Sequence, residues 1–265
     1  MFKGFIFSRL ALMPITLALV FAWTGCTDRR WDYVALGDSY PAGYGAERSY
    51  VDYYAEYIEA DLGVRVEIYN FARTGLASSE LLSQVRSDEE LRGAIRGANV
   101  ITIWIGWNDL REALVRYYAG TCGGEENLDC MLESANKLNE NMDAILDEIL
   151  KLANLRESLI RIADAGIPPV FMDDWKRYGW FETLQESCFE TWSEHLAEAA
   201  GQRGITVVHT YRILNGPGGD EKMRGIYQSD GIHFNDKGQR LIADLHREAG
   251  YEYAIESFPD SPSPE

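Results

Sequence analysis

The chain has 265 residues, 46% of them hydrophobic and 12% aromatic, enough to build one well-buried domain of ordinary size. Its formal charge of -17, spread along the chain, describes a solubilising surface that repels nucleic acid and anionic lipid heads. Nucleic-acid binding is excluded on that ground, and with no Pro/Gly/Ser-rich linker in the middle a two-domain chain is not expected.

Residues 1–25 read as an export signal. Lys3 and Arg9 lead into an apolar run from Leu10 to Trp23, broken by Pro14, and then Thr24-Gly25-Cys26. The run falls short of the roughly 20 apolar residues of a membrane span. Gly25-Cys26 resembles the lipobox of bacterial lipoproteins, which implies a lipidated Cys26 and a membrane tether. Trp23 departs from that motif, which has an aliphatic residue there, and simple cleavage with release is the other reading. Either way the protein is expected to be exported, as a cell-envelope lipoprotein or a secreted protein. Residues 26–250 are expected to form one domain and 251–265 a tail, disordered over the Pro/Ser-rich stretch from Phe258.

In chain order, the apolar run Tyr33–Leu36 predicts a first strand. Val51, Tyr54, Ala55, Ile58 and Leu62 recur at three and four residues, which predicts a helix. Val66–Phe71 and Val100–Ile105 predict the second and third strands. Cys122 and Cys130, close together in a Gly-rich stretch, suit a disulfide that staples a loop. Cys188 is then a buried thiol, or a partner for Cys26 if Cys26 is not lipidated. The cysteines lack the short Cys-x-x-Cys spacing, so no metal is expected. Helical spacing from about Leu128 to Ala165, through Leu152, Leu159 and Ile162, predicts the longest helix, stopped by Gly166 and Pro168-Pro169. Pro169–Met172 and Ile205–Val208 complete the predicted strands, and a last helix runs from near Asn235-Asp236 to Gly250. Buried strands alternating with helices predict a parallel sheet covered on both faces, with functional groups beyond the carboxyl ends of its strands.

Four short blocks meet that test. Strand one runs into Gly37-Asp38-Ser39-Tyr40, strand two is followed by Thr74-Gly75, and strand three by Gly106-Trp107-Asn108-Asp109. Asp230-Gly231-Ile232-His233-Phe234 precedes the last helix. Acyl transfer from an ester needs a nucleophile, a base, a group that orients the base, and donors for the developing oxyanion. Ser39 is the candidate nucleophile, with Gly37 easing a sharp turn and a helix opening after it. His233 is the candidate base and Asp230, three residues earlier, its orienter. The N–H groups of Ser39 and Gly75 and the side-chain amide of Asn108 are the candidate oxyanion donors. Tyr40, Trp107 and Phe234 flank these residues and are candidate pocket walls.

Taken in order, Gly37-Asp38-Ser39, Gly75, Gly106-x-Asn108-Asp109 and Asp230-x-x-His233 resemble the four blocks of the SGNH (GDSL-like) serine hydrolases. The stretch YVALGDSYPAGYG looks especially like bacterial secreted esterases and lipases of that family, and the likeness runs from about Tyr33 to Ala249. The resemblance implies a three-layer α/β/α flavodoxin-like fold with a five-stranded parallel sheet. It also implies a cofactor-free carboxylic ester hydrolase in which the serine, glycine, asparagine and histidine carry the roles given above. Tyr40 stands where the family's motif frequently has Leu, which bears on the pocket. The 109–168 segment, with its cysteine pair, is expected to shape the substrate site.

Each residue also has a plainer reading. Ser39 and Gly75 suit turns, and Asn108 suits the N-cap of a following helix. Asp38 and Asp109 are expected to hold loops. His195 and His246 are expected on helices, His246 at the surface, and His209 ends a strand. Within the family the other readings are a carbohydrate acetylesterase, or a lysophospholipase or thioesterase acting on lipid acyl groups. Outside it, the reading is a non-catalytic binding protein on the same fold. G-x-S-x-G, Walker, H-E-x-x-H and G-x-G-x-x-G motifs are absent.

Overall fold

The computed structural model describes residues 29–252; the export signal, Cys26 and the end of the tail lie outside them. Five strands, β1 (Arg30–Gly37), β2 (Arg65–Asn70), β3 (Val100–Trp104), β4 (Leu159–Ala163) and β5 (Thr206–Val208), pair in parallel in the order β2-β1-β3-β4-β5. The helices in chain order are α1 (Tyr50–Leu62), α2 (Ser78–Ser87), α3 (Glu89–Gly97), α4 (Trp107–Tyr118), α5 (Asp129–Leu150), α6 (Pro169–Tyr178), α7 (Phe181–Leu184), α8 (Thr191–Gln202), α9 (Thr210–Asn215) and α10 (Asp236–Glu248). The sheet is the middle of three layers: α1 packs with α10, and α5 with α2, α4 and α8. The order reverses between β1 and β3, so ligand-binding groups are expected in the crevice above their carboxyl ends.

Local chemistry explains the helix ends. Ser49 and Asp52 form a reciprocal capping box at the start of α1, and Asn235 accepts from the N–H groups of Lys237 and Gly238 to start α10. Along each strand alternate residues face opposite layers. On the α1 side, Tyr33 and Tyr50 both hydrogen-bond the Thr102 hydroxyl. Cys122 and Cys130 are joined in a disulfide, and Cys188 is buried and, among the described residues, a free thiol, which burial pushes up to about 12.

The fourth strand lies elsewhere than the spacing predicts. Helix α5 stops at Leu150, and residues 159–163, read above as its last turns, form β4. Between them Asn154 turns the chain: its side chain accepts from Arg156 N–H and its carbonyl from the N–H groups of Glu157 and Ser158. Pro169–Met172, read above as a strand, is the first turn of α6 with proline at its start, where the missing N–H costs nothing. The β3–β4 connection is therefore residues 105–158.

His246 is a second correction. It is fully buried rather than at the surface, its ring stacked on Tyr50 at 5.0 Å and 2°, and neither ring nitrogen has a hydrogen-bond partner. Burial, with the nearby Arg161 charge, lowers its pKa from 6.5 to about 3. The folded protein thus refuses a proton that the unfolded chain accepts below 6.5, and stability is lost as pH falls from there towards about 3. His246→Phe keeps the ring and removes the titration. Thermal melts should show wild type losing more stability than this variant between neutral pH and pH about 4, by on the order of a few kcal/mol. Parallel curves would contradict it.

Candidate active site

Gly37 ends β1 at φ +141°, and a β-carbon there would lie 1.9 Å from the Trp104 carbonyl oxygen, so only glycine fits. The chain turns off the sheet as Asp38 N–H donates to that carbonyl at 3.2 Å. Ser39 follows in successive turns; the helix expected directly after it is absent, since α1 starts only at Tyr50. Asp38 is buried beneath Ser39 and accepts from the Tyr40 N–H at 3.1 Å. After β2, Arg73 N–H donates to the Gly37 carbonyl at 3.0 Å, which carries the turn at Gly75 to the same edge. Among the described residues neither the Ser39 nor the Gly75 N–H has a protein acceptor.

Gly106 leads from β3 into α4, and a β-carbon there would strike the Trp192 ring at 2.5 Å. The cap position of α4 belongs to Gly106, and Asn108 is the second helical residue, so the capping role weighed for Asn108 is not taken. Its amide donates to the Leu76 carbonyl at 3.0 Å, with a longer 3.5 Å contact to Asp38. Asp109 accepts from the N–H and the hydroxyl of Ser78, tying α4 to the start of α2, as expected of a loop-holding carboxylate. Burial raises the Asp109 carboxyl, with the Ser78 bonds opposing it.

The last block closes the site. Asp230 accepts from the N–H groups of Ile232 and His233 at 2.9 and 3.0 Å, and its other oxygen meets His233 Nδ1 at 2.6 Å. His233 Nε2 lies 3.0 Å from Ser39 Oγ, across 194 residues of sequence. Burial pushes the Asp230 carboxyl up, but the bonds from the His233 ring and the two N–H groups outweigh it and hold it below its ordinary value.

Beside Ser39 and His233 opens a cavity of about 420 Å³, lined by Tyr40 and Trp107 among others. Phe234 is not a wall: it is buried, its ring 5.1 Å from that of Tyr40. Arg111, Val115, Tyr118 and Phe171 also line the cavity, and the sequence reading missed them. Three of them follow Asn108 at helical spacing, a signal available once Asn108 is placed on a helix; Phe171 was hidden by reading α6 as a strand. Tyr44, half-exposed, sets its ring 4.6 Å from the His233 imidazole. His195 pairs with Asp143 and His209 with Asp164, and neither lines the cavity.

The family model described as GDSL-like Lipase/Acylhydrolase matches residues 33–245. The spore germination lipase LipC of Bacillus licheniformis is 25% identical over 224 residues, spanning 83% of this chain and 96% of LipC. Among solved structures, the lipase Lip_vut3 from goat rumen metagenome is similar at a TM-score of 0.69 and 24% identity, over 84% of this chain and 99% of that one. TesA is similar in fold at a TM-score of 0.54 and 17% identity, over 82% of this chain and 97% of its own.

Asp38 titrates unusually. Burial raises its pKa from 3.8 to about 7, against the Tyr40 N–H, which lowers it. A carboxyl raised in the fold stabilises below its unfolded value, and that contribution is lost as pH rises from 3.8 through about 7. Asp38→Asn is uncharged throughout. Its melting temperature minus that of wild type should therefore increase between pH 5 and pH 8; a difference that falls as pH rises would show that the ionised carboxylate is stabilised.

Proposed function

The chain belongs to the GDSL-like lipase/acylhydrolase family of ester-hydrolysing enzymes, and on that premise we propose that it cleaves carboxylic esters through an acyl-enzyme on Ser39. The observation that carries the reading is the contiguous chain Asp230–His233–Ser39, with contacts of 2.6 and 3.0 Å. Ser39 Oγ attacks the ester carbonyl carbon while His233 Nε2 takes its proton. Asp230, held ionised by three donors, keeps Nδ1 protonated and stabilises the imidazolium. Collapse of the tetrahedral intermediate expels the alkoxide, which leaves with the proton from Nε2. Water then repeats the sequence on the acyl-enzyme, releasing the carboxylic acid and restoring Ser39.

In this reading the oxyanion binds the N–H groups of Ser39 and Gly75, both without a protein acceptor, and the Asn108 amide. One Asn108 hydrogen stays on the Leu76 carbonyl, orienting the amide, and the other exchanges its long contact with Asp38 for the substrate oxygen. The reading extends to a single hydrolase domain over residues 26–250, supported by the one five-stranded sheet and the continuous core around it. It also includes an exported protein cleaved after residue 25, with lipidation of Cys26 as its membrane tether. No helix among the described residues is long and apolar enough to cross a membrane. A solved structural neighbour is an extracellular lipase of Streptomyces rimosus.

Hydrolysis of nitrophenyl esters tests the relay. Ser39→Ala should lose on the order of 10⁴ to 10⁶ in turnover, and His233→Ala nearly as much. Asp230→Asn should cost less than either, since it orients and transfers no proton. A Ser39→Ala protein retaining a tenth of wild-type activity sinks the mechanism.

Asn108 is tested separately. Asn108→Ala should lower kcat by roughly 10² to 10³ with KM little changed, the signature of a lost oxyanion donor. Asn108→Asp should be at least as slow, because its carboxylate repels the developing charge. An active Asn108→Asp enzyme would leave the oxyanion to Ser39 and Gly75 alone.

A further inference from the structure

The cavity beside Ser39 has a direction. One wall is a single face of α4, on which Asn108, Arg111, Val115 and Tyr118 follow one another at helical spacing. At about 1.5 Å per residue this wall runs roughly 15 Å from Asn108 to Tyr118. Phe171 of α6 also lines the cavity, its ring stacked on Trp107 at 5.0 Å and 17°.

Tyr118 stands at the far end and is held firmly. Its phenol oxygen accepts from the indole N–H of Trp175 at 2.7 Å, and Trp175 is fully buried. Its ring lies on that of Trp180 at 5.4 Å and 19°, and Trp180 lies in turn against Tyr178. Val115, 63% exposed, marks the open side of the groove, nearer its Tyr118 end. Between Asn108 and Tyr118 the α4 wall carries one polar group, the Arg111 guanidinium. An exposed arginine can line such a wall with its methylene stem while its charge stays in water. A sugar bound there would find few partners for its hydroxyls, whereas a hydrocarbon chain needs none.

We propose that this groove takes an unbranched acyl chain laid along α4, with Tyr118 as the end wall that limits its length. The inference rests on the ester-hydrolase reading given above and adds the substrate class to it. Full burial of one methylene corresponds to roughly fourfold in kcat/KM, and a half-open groove should deliver roughly twofold. The gradient should run until the chain meets Tyr118 and stop there.

The test is a series of nitrophenyl esters from acetyl to hexadecanoyl, read as ratios of kcat/KM on one preparation so that the active fraction cancels. For wild type the dodecanoyl-to-acetyl ratio should be on the order of 10³, since an extended dodecanoyl chain matches a wall of roughly 15 Å, and hexadecanoyl should gain nothing further. Val115→Trp fills the groove before its end and should cut the dodecanoyl-to-acetyl ratio at least about tenfold. Tyr118→Ala opens the end and should raise the hexadecanoyl-to-dodecanoyl ratio about tenfold, whereas Tyr118→Phe keeps the ring and should stay near wild type. A dodecanoyl-to-acetyl ratio near one, or one unmoved by Val115→Trp, overturns the acyl groove while ester hydrolysis stands. A hexadecanoyl-to-dodecanoyl ratio unmoved by Tyr118→Ala overturns the end wall. Wild type that turns over no ester, matching Ser39→Ala, overturns the ester-hydrolase reading and the groove with it.

Discussion

The carboxyl ends of β1 and β3 approach each other only because Gly37 carries no side chain. With no β-carbon to collide with the Trp104 carbonyl, the chain leaves β1 sharply and sets Ser39 above the sheet with Asp38 buried beneath. The carbonyl of the same glycine takes the Arg73 N–H, which draws the Gly75 turn to the edge. Asn108 then reaches the same ground from β3, donating to Leu76 and lying within 3.5 Å of Asp38. Three separated pieces of chain thus converge on one backbone contact, at the point where the strand order reverses. A methyl group at that position would push the two central strands apart and disturb all three at once.

Three aspartates around this edge show how local donors decide what a carboxyl does. Asp230 meets two backbone N–H groups and an imidazole nitrogen, which together overcome its partial burial. Asp109 has the N–H and hydroxyl of Ser78, which moderate the effect of burial without cancelling it. Asp38 is the most deeply buried and has one firm donor, the Tyr40 N–H, so burial dominates. The count of hydrogen bonds to the charged form, set against desolvation, orders the three without appeal to residue type. His246 belongs to the same accounting from the other side, a base with no acceptor for the proton it would gain.

Much of the candidate site was legible in the sequence because each motif block coincides with an element boundary. Gly37, Gly75 and Gly106 mark turns after three strands, and Asn235 marks the start of α10, so order along the chain implied convergence in space. The fourth strand was not legible. Leu152, Leu159 and Ile162 keep helical spacing by accident, and a short, fully buried apolar run reads equally as strand or helix. The overlooked signal was Asn154, past the end of α5, whose side chain accepts from Arg156 N–H and turns the chain towards β4. That one misplacement turned α6 into a strand and hid Phe171. His246 was expected at the surface, although Gln239, Ile242, Ala243 and His246 form one buried stripe at three- and four-residue steps.

The 3.0 Å contact between Ser39 and His233 joins the turn that follows the first strand to the loop that leads into α10. A chain made from its N-terminus presents the serine early, in the turn after β1, while the imidazole arrives only after all five strands have been synthesised. Because α10 packs against α1, the pair meets only when the final helix docks onto the first. In the proposed relay the serine therefore stays without its base, a weak nucleophile, throughout synthesis and early collapse. Reactivity by that relay is timed by topology: completion of the fold and arming of the proposed nucleophile are the same event.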